Sequence, residues 1–524
     1  MTAPPFEYLP GRWADDAFVR WREAPARPSA QRLRHLSTSE PDASATLTKQ
    51  PGAWTRQEAT HFARRLGFGA TPEAIEALTA MTQAQAVDAV VDAAVAASDL
   101  PTPDWISEAP PEPPAPPEVI AAYNQANKER VEETEWGVYR RMLGDGHEDP
   151  IQALGIALRE RIALVWHDHF VTELDAYTIA PWLHRYWSTL RDGALGDFRV
   201  LVHRIGLEPA MLCYLNGADN RAGQPNENYA RELLELFTMG ILAPDGSPNY
   251  AERDIQELSR ALTGWSVDAY GDLNAHFVED WHDTGRKRIF GQRGRWDYDD
   301  VVPLLFAARE AEIAAFVCRK LYRAFAREDA PANLVGQMAQ VLIATDWRIE
   351  SVLRAMFSSS HFVSDEIIGA KIKSPLENAV GLYRSVRRRP QPRRRKLIRE
   401  ITELAGQTLF DPPDVAGWPG HRDWINTSRI ATRWWGTEKI LQAETDLRAV
   451  ALALPDPSTP SRLAADLAEL FLGLPVSDAN REAFTEILLG GIPAASWDPA
   501  ADGAEARLVG LVVYLASLPE HELV

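Results

Sequence analysis

IQALGIALRERIALVWHDHF, residues 151–170, is the stretch on which the fold turns. Its apolar residues recur at three- and four-residue intervals, the period of an α-helix. The breaker GDGHEDP at 144–150 separates it from a second helical pattern, Val119 to Leu143. Upstream, Thr55 and Glu58 form a capping-box pattern that opens a helix running to Gly67 or Gly69. Thr71-Pro72-Glu73 then supplies an N-cap, a proline at the first helical position and an acid in the first turn. Ala84 to Ala97 continues in the same style.

Downstream, amphipathic segments of ten to twenty residues follow from 181 to 517, broken by Gly, Pro and Asn. Alternating patterns are almost absent; a short hairpin within 265–300 is the one strand candidate. No fixed-period repeat is visible. The expected fold class is therefore mainly α: a large multi-helix orthogonal bundle with at most a small β-hairpin. Residues 101–117 hold eight prolines in seventeen and read as a long extended connector. The expected organisation is an irregular N-terminal arm (1–54), a main helical domain (55–450) and a C-terminal helical subdomain (451–524).

The 524 residues are 45% apolar and 25% charged, ordinary for a folded globular chain. Lys+Arg 55 against Asp+Glu 74 leaves −19, which excludes binding of nucleic acid driven by broad phosphate neutralisation. The run RSVRRRPQPRRRKLIR (384–399) stands out from that acidity, but no aromatic residues interleave it. A solvated connection is expected at 387–395. The longest apolar stretch, Leu508 to Leu518, is too short for a bilayer, which takes roughly 20 residues, so no transmembrane segment is expected. The first residues lack a basic then apolar leader, which points to the cytoplasm; export alongside a signal-bearing partner to the periplasm or outside is the alternative. Cys213 and Cys318 sit in apolar helical surroundings and read as reduced, packed thiols.

Four segments carry more His, Glu, Asn and Trp than helix surfaces require. In Trp166-His167-Asp168-His169-Phe170, a His-x-His spacing aims both rings one way only if the backbone is extended, so His167 and His169 are metal-ligand candidates if the helix ends there. The second segment spans Asn226 to Leu236, with Asn226 the expected N-cap. Helical spacing puts Asn228, Arg231, Glu232 and Glu235 on one face, opposite an apolar stripe. That alignment suits a face looking into a pocket, and equally an exposed face tied by Arg231 and Glu235. The third holds His282-Asp283, a pair able to move a proton. The fourth, 406–426, is rich in Gly, Pro, Trp and Asp, and its Trp418, His421 and Trp424 suit the wall of a cleft or a cap on the core.

In order along roughly 55–520, RRLGFGATPE (64–73), ALVWHDHFVTE (163–173), PAMLCYLNGADN (209–220), NENYARELLELFTMGI (226–241), DIQELSRALTGW (254–265), HDTGRKRIFG (282–291), KIKSPLEN (371–378) and GQTLFDPPDVAGWPG…WIN (406–426) together resemble the bacterial family known as domain of unknown function 1800. The resemblance implies an essentially all-helical protein. It also implies genes that neighbour those of a second family, whose members resemble alkaline phosphatase and sulfatase folds, and frequent export signals, which this N-terminus does not show. It implies no particular activity.

Two classes of function follow from the residues. One is a hydrolase with Glu232, His282 and Asp283 as its acid/base set. Asn228, Arg231, Trp418, His421 and Trp424 would hold a polysaccharide-like or anionic substrate, and a divalent metal on His167 and His169 could supply an activated water. The other is a non-catalytic scaffold serving a phosphatase- or sulfatase-like partner, with the polar motifs as buried networks. All four motifs are expected to converge on one concavity.

Overall fold

The computed structural model describes residues 44–49, 52, 54–144, 146–386, 392–442 and 446–524. The expected N-terminal arm up to residue 43, and residues 387–391 of the arginine run, lie outside them. Among the described residues there are 22 α-helices and two small antiparallel hairpins, so the fold is mainly α.

The decisive stretch forms the Pro150–His167 helix, begun by Asp149, whose carboxylate accepts the Ile151 and Gln152 N–H groups. A helix apolar on every side must be covered on every side. Helices Arg56–Leu66, Pro72–Thr79, Gln83–Ala96, Pro117–Met142 and Ala180–Asp192 all pack on it. The Gln83–Ala96 helix comes close at Gly155, where a Cβ would stand 2.5 Å from the Ala93 Cβ. The charges Arg159, Glu160 and Arg161 fall inside this sheath, each paired. Glu160 takes Arg191 Nε at 2.5 Å and Arg141 Nε at 2.9 Å. Arg159 donates to the carbonyls of Arg191 and Ala97, and Arg161 to Gly67 O and Glu377.

Sequence-read helix starts recur as built caps. Thr55 and Glu58 exchange both bonds of a capping box, and Thr71 accepts from the Ala74 N–H ahead of Pro72. The Pro-rich connector leads into the Pro117–Met142 helix, and its Trp105 packs edge-on against His184.

Where one hairpin was expected, two occur. Strand β1 (Trp265–Val267) pairs antiparallel with β2 (Ala275–Phe277), and β3 (Lys287–Ile289) with β4 (Gln292–Gly294). The second turns through Phe290 and Gly291, both with positive φ (46° and 80°), the backbone of a tight two-residue turn. Asp254 holds that turn by accepting the Phe290 N–H at 2.8 Å.

Helices Pro460–Leu472, Asp478–Leu489 and Ala504–Ala516 close the chain. Their apolar residues join one cluster that runs from Ala45 to Leu518. Across the expected boundary near 450, Arg64 of the Arg56–Leu66 helix donates to Leu470 O, Phe471 O and Leu523 O.

Candidate functional site

The helix carrying the first motif stops at His167 with Asp168 as its cap, as a His-x-His reading requires. The two rings nevertheless face different parts of the interior. His167 Nδ1 lies 2.8 Å from the Tyr186 hydroxyl, and its ring meets Trp418 edge-on at 5.3 Å. His169 Nε2 lies 3.0 Å from Phe237 O, among Phe170, Phe198 and Phe237. Both are buried, and burial depresses both imidazoles, His167 to about 3. They are neutral core side chains. Among the described residues no group of three or more His, Cys, Asp and Glu is arranged to hold a metal ion. Tertiary packing, which the spacing does not report, gives the two rings different hydrogen-bond partners.

Asp168 between them accepts the Trp418 N–H at 2.7 Å. That bond docks the fourth motif on the first. Gly417, at φ +91°, lets the loop pass where a Cβ would stand 2.4 Å from Asp168 Oδ1. Trp418 and Trp424 are consequently buried, not exposed walls. His421, half-buried, stands at the start of a short 3-10 turn.

The second motif forms the Asn228–Glu235 helix. Glu227 occupies the N-cap position, one residue later than expected, while Asn226 Oδ1 accepts the Asn228 N–H at 2.9 Å. The two faces fall as the spacing demands: Tyr229, Ala230, Leu233 and Leu234 inward, Asn228, Arg231, Glu232 and Glu235 outward. Arg231 is ion-paired with Glu227 (3.2 Å), Glu235 (3.6 Å) and Glu252 (2.8 Å). Asn228 donates to Asn216 at 2.9 Å. Partial burial, helped by the charge of Glu235, raises the Glu232 carboxyl. Tyr214 donates to Glu173 at 2.8 Å and also feels the charges of Asp414 and Glu232, so carboxylates of three segments gather round one phenol.

In the third motif, Asp283 accepts Arg260 Nε at 2.7 Å, and that bond lowers its carboxyl. His282 Nδ1 lies 2.9 Å from Thr263 O. Asn220 ties this region to the second motif: its Oδ1 accepts the Asn226 N–H at 2.8 Å and its carbonyl the Gly264 N–H at 3.1 Å. Bonds through the flanking residues Phe237, Asn220 and Gly264 thus link the motifs in series, fourth to first to second to third, while the imidazoles and indoles of the first and fourth face the core.

A larger cavity opens elsewhere. A cleft of about 650 Å³ lies between the start of the Pro-rich connector, the Ala180–Asp192 helix and residues 204–209. Its wall carries His184, Arg185, Thr189, Asp192, Arg204 and Glu208. Glu208 is hydrogen-bonded by the Thr189 hydroxyl. Burial raises its carboxyl, with the neighbouring Asp192 charge acting the same way. Asp192, partly buried, is also raised, and its carboxylate lies 3.8 Å from Arg159 and 3.9 Å from Arg204. Burial lowers His184 to about 4, so it is neutral near pH 7. Arg185 is held by Leu273 O and Asn274 Oδ1 across the floor. The sequence signal was present but weak. His184, Arg185, Ser188, Thr189 and Asp192 form a polar stripe at helical spacing beside the buried apolar residues of that helix.

The fold and the cleft define a large helical protein with a carboxyl-lined cavity. The chain belongs to the family described as Protein of unknown function (DUF1800), which matches residues 61–523. No curated protein and no solved structure matches it. Among the described residues no helix is long and apolar enough to cross a membrane.

Proposed function

We propose that the protein is a hydrolase that works by acid–base catalysis in the Asp192–Glu208 cleft on a polyhydroxyl or anionic substrate. One observation carries the reading: two carboxyls with raised proton affinity share a cleft of about 650 Å³ with a neutral imidazole and two arginines. That volume falls in the range of small-molecule sites, about 300–1,000 Å³. Paired titratable groups in unlike surroundings divide acid and base roles. Glu208, the more deeply buried, is assigned the donor role, and Asp192, beside Arg159 and Arg204, the role of its carboxylate partner. Arg185 and Arg204 are placed to hold an anionic or hydroxyl-rich group.

The test is a screen of the purified protein on polysaccharide and ester substrates. Any activity found is then measured in Glu208→Gln, Asp192→Asn and Glu232→Gln. A fall of about 10²-fold or more in the first two, with Glu232→Gln unaffected, is expected. A loss confined to Glu232→Gln would move the site to the Asn228–Glu235 helix.

A second reading, a scaffold for a phosphatase- or sulfatase-like partner, is favoured by Ile241 and Leu242, consecutive and 57% and 58% exposed just after the second motif. Co-elution with such a purified partner, lost in Ile241→Asp with Leu242→Asp, would support it.

A further inference from the structure

Away from the cleft, five chain segments meet around a cavity of about 20 Å³. Arg64, Arg161, Lys373, Glu377 and His521 line it. Arg65, Lys371 and Arg433 stand close enough behind to act electrostatically on the lining groups. Beside these six basic side chains stand two side-chain carboxylates, Glu377 and Glu522, both already engaged, and burial together with the Arg64 and Arg433 charges pushes the Lys373 amine well below its ordinary range. Glu377 accepts Arg161, the Lys371 ammonium at 2.8 Å and the Ser374 N–H at 2.7 Å. Glu522 accepts Arg433 at 2.5 Å and the Asn378 amide at 3.3 Å.

Among the described residues no carboxylate stands within ion-pair distance of Arg64, Arg65 or Lys373. Arg64 has only backbone carbonyls as partners. Arg65, fully buried, donates one bond to Ile367 O, while its Nε and Nη1 have no hydrogen-bond partner. His521, 2% exposed, presents an unpartnered Nδ1 in the cavity wall. Buried cations without counter-charge are costly, and buried donors without acceptors add to that cost.

We propose that this cavity binds one small monovalent anion of halide size, held by Arg64, Arg161, Lys373 and His521. Size decides the class: the space is about that of a single water-sized sphere, too small for phosphate or sulfate. Charge decides against water, which would satisfy donors and leave the surplus of cations in place. The site is independent of the hydrolase reading and locks the Arg56–Leu66 helix, the Pro375–Ser385 helix and residues 521–524 together.

Crystals of the full chain soaked in bromide test this by anomalous scattering. A peak inside the cavity is expected; its absence overturns the proposal. In parallel, thermal melting is followed as chloride replaces gluconate at constant ionic strength. Selective binding raises Tm by about 1 °C per tenfold chloride once the site begins to fill. Sulfate should not reproduce that rise, and Lys373→Met should reduce it. An equal rise with sulfate would show general salting and overturn the assignment. If Lys373→Met fails to fold, the bromide measurement on the unaltered protein still decides.

Discussion

Replacing Gly155 by alanine sets two physical effects against each other. Gly155 lies inside the Pro150–His167 helix, and by helix propensity alone alanine there is better by about 1 kcal/mol. The added Cβ would stand 2.5 Å from Ala93 Cβ and 2.8 Å from Ala93 C and Ala94 N. Two of those atoms are backbone, so relief requires the Gln83–Ala96 helix to shift, opening gaps along its contact with the Pro150–His167 helix. Overpacking of this kind costs about 1–3 kcal/mol, and rigid backbone on the far side puts it at the upper end. The expected net loss is about 2 kcal/mol. Gly510→Ala is the matched control: it too is inside a helix, but nothing lies within 4 Å of its added Cβ. It should gain about 1 kcal/mol. Urea denaturation of both variants reads the difference. Adding Ala93→Gly to Gly155→Ala removes the 2.5 Å contact and should recover part of the loss. A Gly155→Ala protein as stable as Gly510→Ala would refute the close-approach argument.

Glu160→Gln should cost about 3–5 kcal/mol, because it leaves Arg191, 1% exposed, and Arg141 without their shared carboxylate. Denaturant melts check it, and a loss under 1 kcal/mol would show that the buried charges are compensated elsewhere. His184 has a folded value near 4 against 6.5 when unfolded, so folding favours its neutral form. Its contribution is complete above pH 6.5 and drains away as pH falls toward 4. The interval of 2.5 units corresponds to at most about 3 kcal/mol, reduced to about 2 by partial exposure. His184→Gln should flatten the dependence of Tm on pH between those limits by that amount, and an unchanged pH slope in the variant would count against it.

Much of the helical frame is legible in short windows. Thr55 with Glu58, Thr71 with Pro72 and Ser374 with Glu377 mark helix starts by bonds that reach only three residues. The inward and outward faces of the Asn228–Glu235 helix follow from spacing alone. The segment of the second hairpin falls within the expected 265–300 strand region, but its separate pairing was not legible: its turn joins Gly291 to a phenylalanine at positive φ, and Asp254, 36 residues away, helps hold it.

The candidate site was far less legible. His167 and His169 have the spacing of ligands, yet one meets Tyr186 and the other Phe237 O, 68 residues along the chain. Trp418 suited a cleft wall or a cap on the core, and only its contact with Asp168, 250 residues away, shows it buried. By itself the sequence determined the helical class, the capping-box helix starts and the polar and apolar faces, because hydrogen bonds and side-chain periodicity within a turn or two set them. Only the tertiary structure decided which polar groups meet solvent, a cleft or each other. Arg161 and Glu377 are 216 residues apart, and Arg64 and Leu470 are 406 apart; a group's burial and proton affinity depend on partners that no local window contains.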